Sequence, residues 1–157
     1  MHKGLRREKT KATSVDKGCY TLVISLQKTQ RLQIGKLGTA CFPRGLYFYT
    51  GSALGGLTAR IARHLRKRNK KIHWHIDYLL RGAEARITNV LLYPPGCREC
   101  RQNQKLAALF KANVMMRGFG ASDCASGCKS HLLFLTGQAA RQGIKRLKII
   151  ERLQYSR

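Results

Sequence analysis

The chain has 157 residues, room for one domain with small additions, and its 43% hydrophobic content supplies a core, which excludes disorder throughout. Lys and Arg number 31 against 7 Asp and Glu, a formal charge of +24, and no apolar stretch is long enough to span a bilayer. A field of that sign gathers polyanions, and nucleic acid leads as partner because each phosphate neutralised releases counterions.

Residues 1–16 carry His2, Lys3, Arg6, Arg7, Lys9 and Lys11 with few apolar anchors, and are expected to form a basic arm. They hold no apolar run of the kind a secretion signal needs, so a cytoplasmic chain is expected, nucleoid-associated if prokaryotic, with no membrane partner. A buried strand is predicted from Gly18 through Leu26, and Arg31 to Gly35 alternates as a hairpin strand would. Gly38, Pro43 and Gly45 break the chain before a short aromatic strand, Leu46 to Thr50, closed by Gly51.

Gly55-Gly56 precedes a helix whose apolar residues Leu57, Ile61, Ala62 and Leu65 recur at helical spacing, leaving Arg60, Arg63, His64, Arg66 and Lys67 on its other faces. A second helix is predicted over Trp74 to Leu80, a strand over Ile87 to Tyr93, and a third helix from about Arg98 through Leu106, Leu109 and Phe110. After a Gly/Ser/Cys loop and the apolar run Leu132 to Leu135 comes a basic amphipathic tail with Ile144, Leu147, Ile150 and Leu153 on one side. The reading is an arm (1–16), one α+β domain (17–136) with a small antiparallel or mixed sheet flanked by helices, and a basic C-terminal helix or tail (137–157).

Six cysteines without a secretion signal point to reduced thiols or metal ligands rather than disulfides. Cys97 and Cys100, then Cys124 and Cys128 followed by His131, resemble two knuckles of a structural zinc site, although the second spacing is unusual and reduced thiols are the favoured reading. Cys19 and Cys41 read as small buried apolar residues. His75 and Asp77 invite a metal reading, but packing of Trp74 and Tyr78 is the stronger one.

Gly18-Cys19-Tyr20 and Tyr49-Thr50-Gly51, with Arg60 and His64 on the helix that follows, resemble the signature of the GIY-YIG nuclease superfamily. Tyr49 to Ala53, Trp74 to Leu79, Ser122 to Cys124 and Ser130 to Leu132 are similar to one poorly characterised branch, mainly archaeal and bacterial and sometimes fused to endonuclease III. The resemblance spans Gly18 to Phe134 and implies a GIY-YIG-like fold and a divalent-metal endonuclease acting on DNA more than RNA, in repair or recombination. It gives Tyr20 the role of general base or water-orienting group, Tyr49 a supporting hydrogen bond, Arg60 the phosphate, and His64 proton transfer or phosphate binding. Glu99, at the start of the third helix, would hold Mg²⁺ or Mn²⁺. Asn113 is the match for the asparagine that follows the family's glutamate.

The residues support these roles in their own right. Arg60 and His64 are four apart and share a helix face, a guanidinium clamps phosphate bidentately, and Tyr20 would act as a base only where cations favour its phenolate. Arg63, Arg66, Lys67, Arg68, Lys70 and Lys71 would grip backbone phosphates. The alternatives are a non-catalytic DNA- or RNA-binding module on the same fold, a ribonucleoprotein component and, more weakly, a membrane-surface role for the tail.

Overall fold

The structure, a computed structural model, describes residues 16–143 and 145; the arm up to residue 15 and most of the amphipathic tail lie outside them. The chain is α+β, built on an antiparallel four-stranded sheet in the order β5-β1-β4-β6. Its strands are β1 (Gly18–Leu26), β4 (Gly45–Ala53), β5 (Ala85–Leu92) and β6 (Leu132–Leu135). A separate ladder joins β2 (Gln30–Gln33) to β3 (Thr39–Phe42) across a short 3-10 turn, Gly35–Leu37. The alternating segment after β1 therefore forms its own hairpin and does not extend the main sheet.

β4 is longer than the sequence suggests: it continues through Gly51 to Ala53, because all nine residues pair with β1 from Gly45 opposite Leu26 to Ala53 opposite Gly18. The apolar run near the C-terminus is the edge strand β6, paired with β4. Both central strands are buried almost throughout, as their continuous apolar sequences require.

Side-chain alternation along β1 divides the core. Tyr20, Leu22, Ile24 and Leu26 face one layer with Tyr47, Tyr49, Ile76 and Leu79. Val23 faces the other with Phe48, Leu91, Leu106, Phe110 and Leu133. Helices α1 (Leu57–Leu65) and α2 (His75–Leu80) contribute to the first layer, and α3 (Glu99–Phe110) to the second.

Two helix faces differ from their predicted ones. On α1 the covered stripe is Leu57, Ile61 and His64, whereas Ala62 and Leu65 are exposed. On α3 it is Asn103, Leu106 and Phe110, with Leu109 exposed. Both stripes still follow helical periodicity, but a polar residue replaces the expected apolar one where it meets a partner. Asp16, assigned by sequence to the arm, belongs to the domain: its carbonyl accepts from Leu57 N–H at 2.8 Å and its carboxylate from Thr58 N–H at 2.9 Å. It satisfies free N–H groups at the start of α1. Among the described residues no helix is long and apolar enough to cross a membrane.

Candidate functional site

Tyr20 on β1 and Tyr49 on β4 project from the same face of the sheet, and α1 crosses that face with His64 buried beneath it. The Tyr20 hydroxyl lies 2.7 Å from Nε2 of His64. The His64 ring also meets Tyr49 edge-on, with centroids 6.2 Å apart. One turn earlier on α1, the Arg60 guanidinium lies 4.1 Å from the centroid of Trp74 and donates to the Ser52 carbonyl at 3.3 Å. The structure brings these four groups into one neighbourhood, with Arg60 at its half-exposed rim.

The electrostatics are those of a dry pocket. Burial pushes the Tyr20 phenol up to about 12, and the Arg60 charge only partly offsets it. Burial also raises Tyr49, reinforced by the Tyr20 and Glu99 charges. His64 falls to about 4, through burial first and the Lys70 charge second. Both phenols therefore keep their protons at neutral pH and the imidazole is neutral. The condition under which Tyr20 would act as a base, cations that favour its phenolate, is not met, because desolvation outweighs the Arg60 charge. The chemistry open to Tyr20 is that of a hydroxyl held by an uncharged imidazole, either one able to be the donor. Among the described residues, Nδ1 of His64 has no hydrogen-bond partner.

Glu99 is the first residue of α3 and half-buried, with its carboxylate 3.9 Å from Nδ1 of His131. Its charge raises both Tyr20 and Tyr49, so it belongs to the same end of the sheet although it arrives from the opposite layer. Asn113 lies beyond the end of α3 with an exposed side chain, its backbone bonded in both directions to Phe134. A residue missed in the sequence is Asn103, one turn after Glu99 on α3. It is buried, donates to the Ser130 carbonyl at 2.8 Å, and among the described residues its Oδ1 has no hydrogen-bond partner. Only its i+4 spacing from Glu99 could have drawn attention to it.

The basic run divides into two groups. Arg63 donates to both Asp77 carboxylate oxygens at 2.9 Å and lies 4.2 Å from the centroid of the Trp74 ring. Lys70 meets the same carboxylate at 3.2 Å, with its own side chain buried. Burial alone would raise the Asp77 carboxyl, but the Arg63 hydrogen bonds, the N–H groups of Trp74 and His73 and the Lys70 charge hold it well below the usual carboxylate range. Lys67 donates to the carbonyls of Leu80, Gly82 and Ala85. These three cations hold α1 to the segment around α2, which leaves Arg66, Arg68 and Lys71 exposed. The metal reading of His75 and Asp77 finds no support: His75 accepts from Gly120 N–H at 3.0 Å through Nδ1, and Asp77 is taken up by cations.

The cysteines pair differently from their predicted arrangement. Cys97 is joined by a disulfide to Cys19, which is neither a lone apolar filler nor a free thiol. Cys97 therefore leaves the set of metal ligands. Cys41 is exposed rather than buried. Cys100, Cys124, Cys128 and His131 converge, with one donor atom from each lying within 4.8 Å of the others, a cluster that could hold a metal such as zinc. Cys100 is in the first turn of α3, and the other three come from the loop leading into β6.

No curated protein and no solved structure matches the chain. A family match covers residues 19–152, from Cys19 on β1 to beyond the last described residue. By that match the chain belongs to the family described as domain of unknown function DUF123.

Proposed function

We propose that this chain is a divalent-metal-dependent endonuclease of the GIY-YIG superfamily that hydrolyses phosphodiester bonds in nucleic acid, DNA in preference to RNA. The observation that carries the reading is the meeting of Tyr20, Tyr49, Arg60 and His64 at one end of the sheet, with the Glu99 charge acting on both phenols. Arg60, half-exposed at the rim, is placed to take the phosphate, and its stacking on Trp74 holds the guanidinium plane. Tyr20 orients a water through its hydroxyl, with His64 as hydrogen-bond partner in place of a phenolate.

Glu99 fits a hard divalent cation: it is a half-exposed carboxylate 3.9 Å from the His131 imidazole, whereas Asp77 is neutralised by Arg63 and Lys70. Mg²⁺ held there would stabilise negative charge on a phosphoryl or leaving oxygen, its shell completed by water and substrate. Arg66, Arg68 and Lys71 supply backbone contacts that position nucleic acid without reading its sequence. The test compares wild type and Glu99→Ala on plasmid, single-stranded and branched DNA with Mg²⁺ or Mn²⁺. Metal-dependent cutting lost in the variant, with binding retained, upholds the proposal. Equal activity in both removes Glu99.

One observation favours a second reading. Both phenols are buried and fully protonated at neutral pH, which suits a module that holds nucleic acid without turnover. Salt-sensitive binding with no cleavage in any divalent metal would identify it.

A further inference from the structure

We infer that Cys100, Cys124, Cys128 and His131 form a zinc site that fixes the start of α3 and, through His131, positions Glu99. A tetrahedral ion with Zn–S of about 2.3 Å and Zn–N of about 2.0 Å separates its sulfurs by about 3.8 Å, and sulfur from nitrogen by about 3.5 Å. Cys100 Sγ lies 3.4 Å from Cys124 Sγ and 3.6 Å from His131 Nε2, and all four donor atoms lie within 4.8 Å of one another. Four soft or borderline donors, two of their separations close to tetrahedral edge lengths and no carboxylate among them, select zinc over Mg²⁺ or Ca²⁺.

The local backbone explains how a three-residue spacer delivers two ligands. Gly127 has φ of +72°, a conformation that glycine adopts freely because it has no Cβ, so the chain can reverse between Cys124 and Cys128. The loop is closed by Gly118 N–H to the Lys129 carbonyl and His131 N–H to the Phe119 carbonyl, each at 2.8 Å. Gln104, one turn after Cys100, donates toward Cys128 Sγ at 3.6 Å. Zinc binding displaces the protons of three thiols and involves no electron transfer.

The two ring nitrogens of His131 face different groups: Nε2 the cysteines, Nδ1 the Glu99 carboxylate at 3.9 Å. Ligation through Nε2 places the ring hydrogen on Nδ1, the nitrogen 3.9 Å from the Glu99 carboxylate, and closing that separation on metal binding would give the carboxylate–histidine–zinc relation that orients both partners. This second part rests on the proposed role of Glu99; the zinc site itself does not.

The full-length chain, purified without added metal or chelator, is assayed for zinc by elemental analysis. One zinc per chain is expected, lost in Cys124→Ser and Cys128→Ser but retained in Cys41→Ser. Since the serine variants can fail to fold, wild type stripped of metal is also loaded with Co²⁺. Intense visible absorption from tetrahedral Co²⁺, with sulfur charge-transfer bands, supports the site. No zinc and no such spectrum overturns it, as does a Cys100–Cys124 disulfide found by peptide mapping of the native protein.

His131→Cys separates the two parts, because a fourth thiolate keeps the metal and removes the nitrogen facing Glu99. Zinc retained, with the Mg²⁺ concentration for half-maximal cleavage raised about tenfold or more, is expected. An unchanged Mg²⁺ requirement overturns the positioning role while leaving the zinc. A zinc-loaded wild type that cuts nothing refutes the positioning role and the nuclease proposal together, and leaves the zinc site standing.

Discussion

Tyr20 faces Gly51 directly across the β1–β4 ladder, and a Cβ on Gly51 would lie 2.7 Å from the Tyr20 hydroxyl and 2.9 Å from its ring carbon. The glycine is there for the phenol: no larger residue leaves the space in which Tyr20 reaches His64. Gly51→Ala is expected to cost about 1–3 kcal/mol in chemical denaturation, the range for overpacking a core. It should also displace the hydroxyl from His64. Tyr20→Phe relieves part of the clash, so the double variant should be less destabilised than the sum of the two singles. Strict additivity would mean that Gly51 is required for another reason.

His64 gives the protein a stability that depends on pH. Its ordinary value of 6.5 falls to about 4 in the folded chain through burial and the Lys70 charge. Between those values the unfolded chain binds the extra proton, so stability is complete above about pH 6.5 and declines as pH falls toward 4. The full loss is about 3 kcal/mol. Thermal melts of wild type and His64→Gln at pH 7.5 and 5 are expected to show a smaller pH-dependent shift in the variant. Equal shifts would place the proton uptake elsewhere.

Asp77 and its two cations set apart basic residues that hold the fold from those left for a ligand. Removing one partner of a buried pair costs about 3–5 kcal/mol, so Asp77→Ala should be severely destabilised, and Lys70→Ala should lower stability as well. Arg66→Ala, Arg68→Ala and Lys71→Ala should leave the melting temperature unchanged. Each that contacts a phosphate should reduce the slope of log affinity against log salt on duplex DNA by about 0.9. A slope that responds to Lys67 rather than to these three would reverse the assignment.

The disulfide is expected to be visible as missing thiols. In denaturant with a chelator, four cysteines, Cys41, Cys100, Cys124 and Cys128, should react with a thiol reagent, and all six only after reduction. Closing a sequence separation of 78 residues restricts the unfolded chain. Reduction should therefore lower stability, by up to about 4 kcal/mol in the chain-entropy account. Six reactive thiols before reduction would remove the bond.

Much of this was legible because it rests on local pattern. Continuous apolar runs marked β1 and β4, the glycine pair marked the start of α1, and the i, i+4 spacing put Arg60 and His64 on one face. The illegible parts depend on partners distant in the chain. Nothing near Arg63, Lys67 or Lys70 distinguishes them from Arg66 or Lys71; only the folded position of Asp77 and of the carbonyls after α2 does so. The preceding motif suggested Cys97 beside Cys100 as co-ligands, but Cys97 falls next to β1, where Cys19 waits on the face opposite Tyr20. The raised value of Tyr20 was hidden too, because cations are visible in a sequence while the depth of burial is not.

The consecutive residues Cys19 and Tyr20 point to opposite sides of the sheet, so one strand carries the phenol toward α1 and the covalent tie toward the start of α3. The two halves of the candidate site are therefore separated by about one residue of β1, although Cys19 and its partner Cys97 lie 78 residues apart in sequence. A chain synthesised only through α2 contains Tyr20, Tyr49, Arg60 and His64 but neither Cys97 nor Glu99. On the proposed nuclease reading, such a chain has the groups that would meet phosphate and water but not the Glu99 carboxylate that would hold the metal.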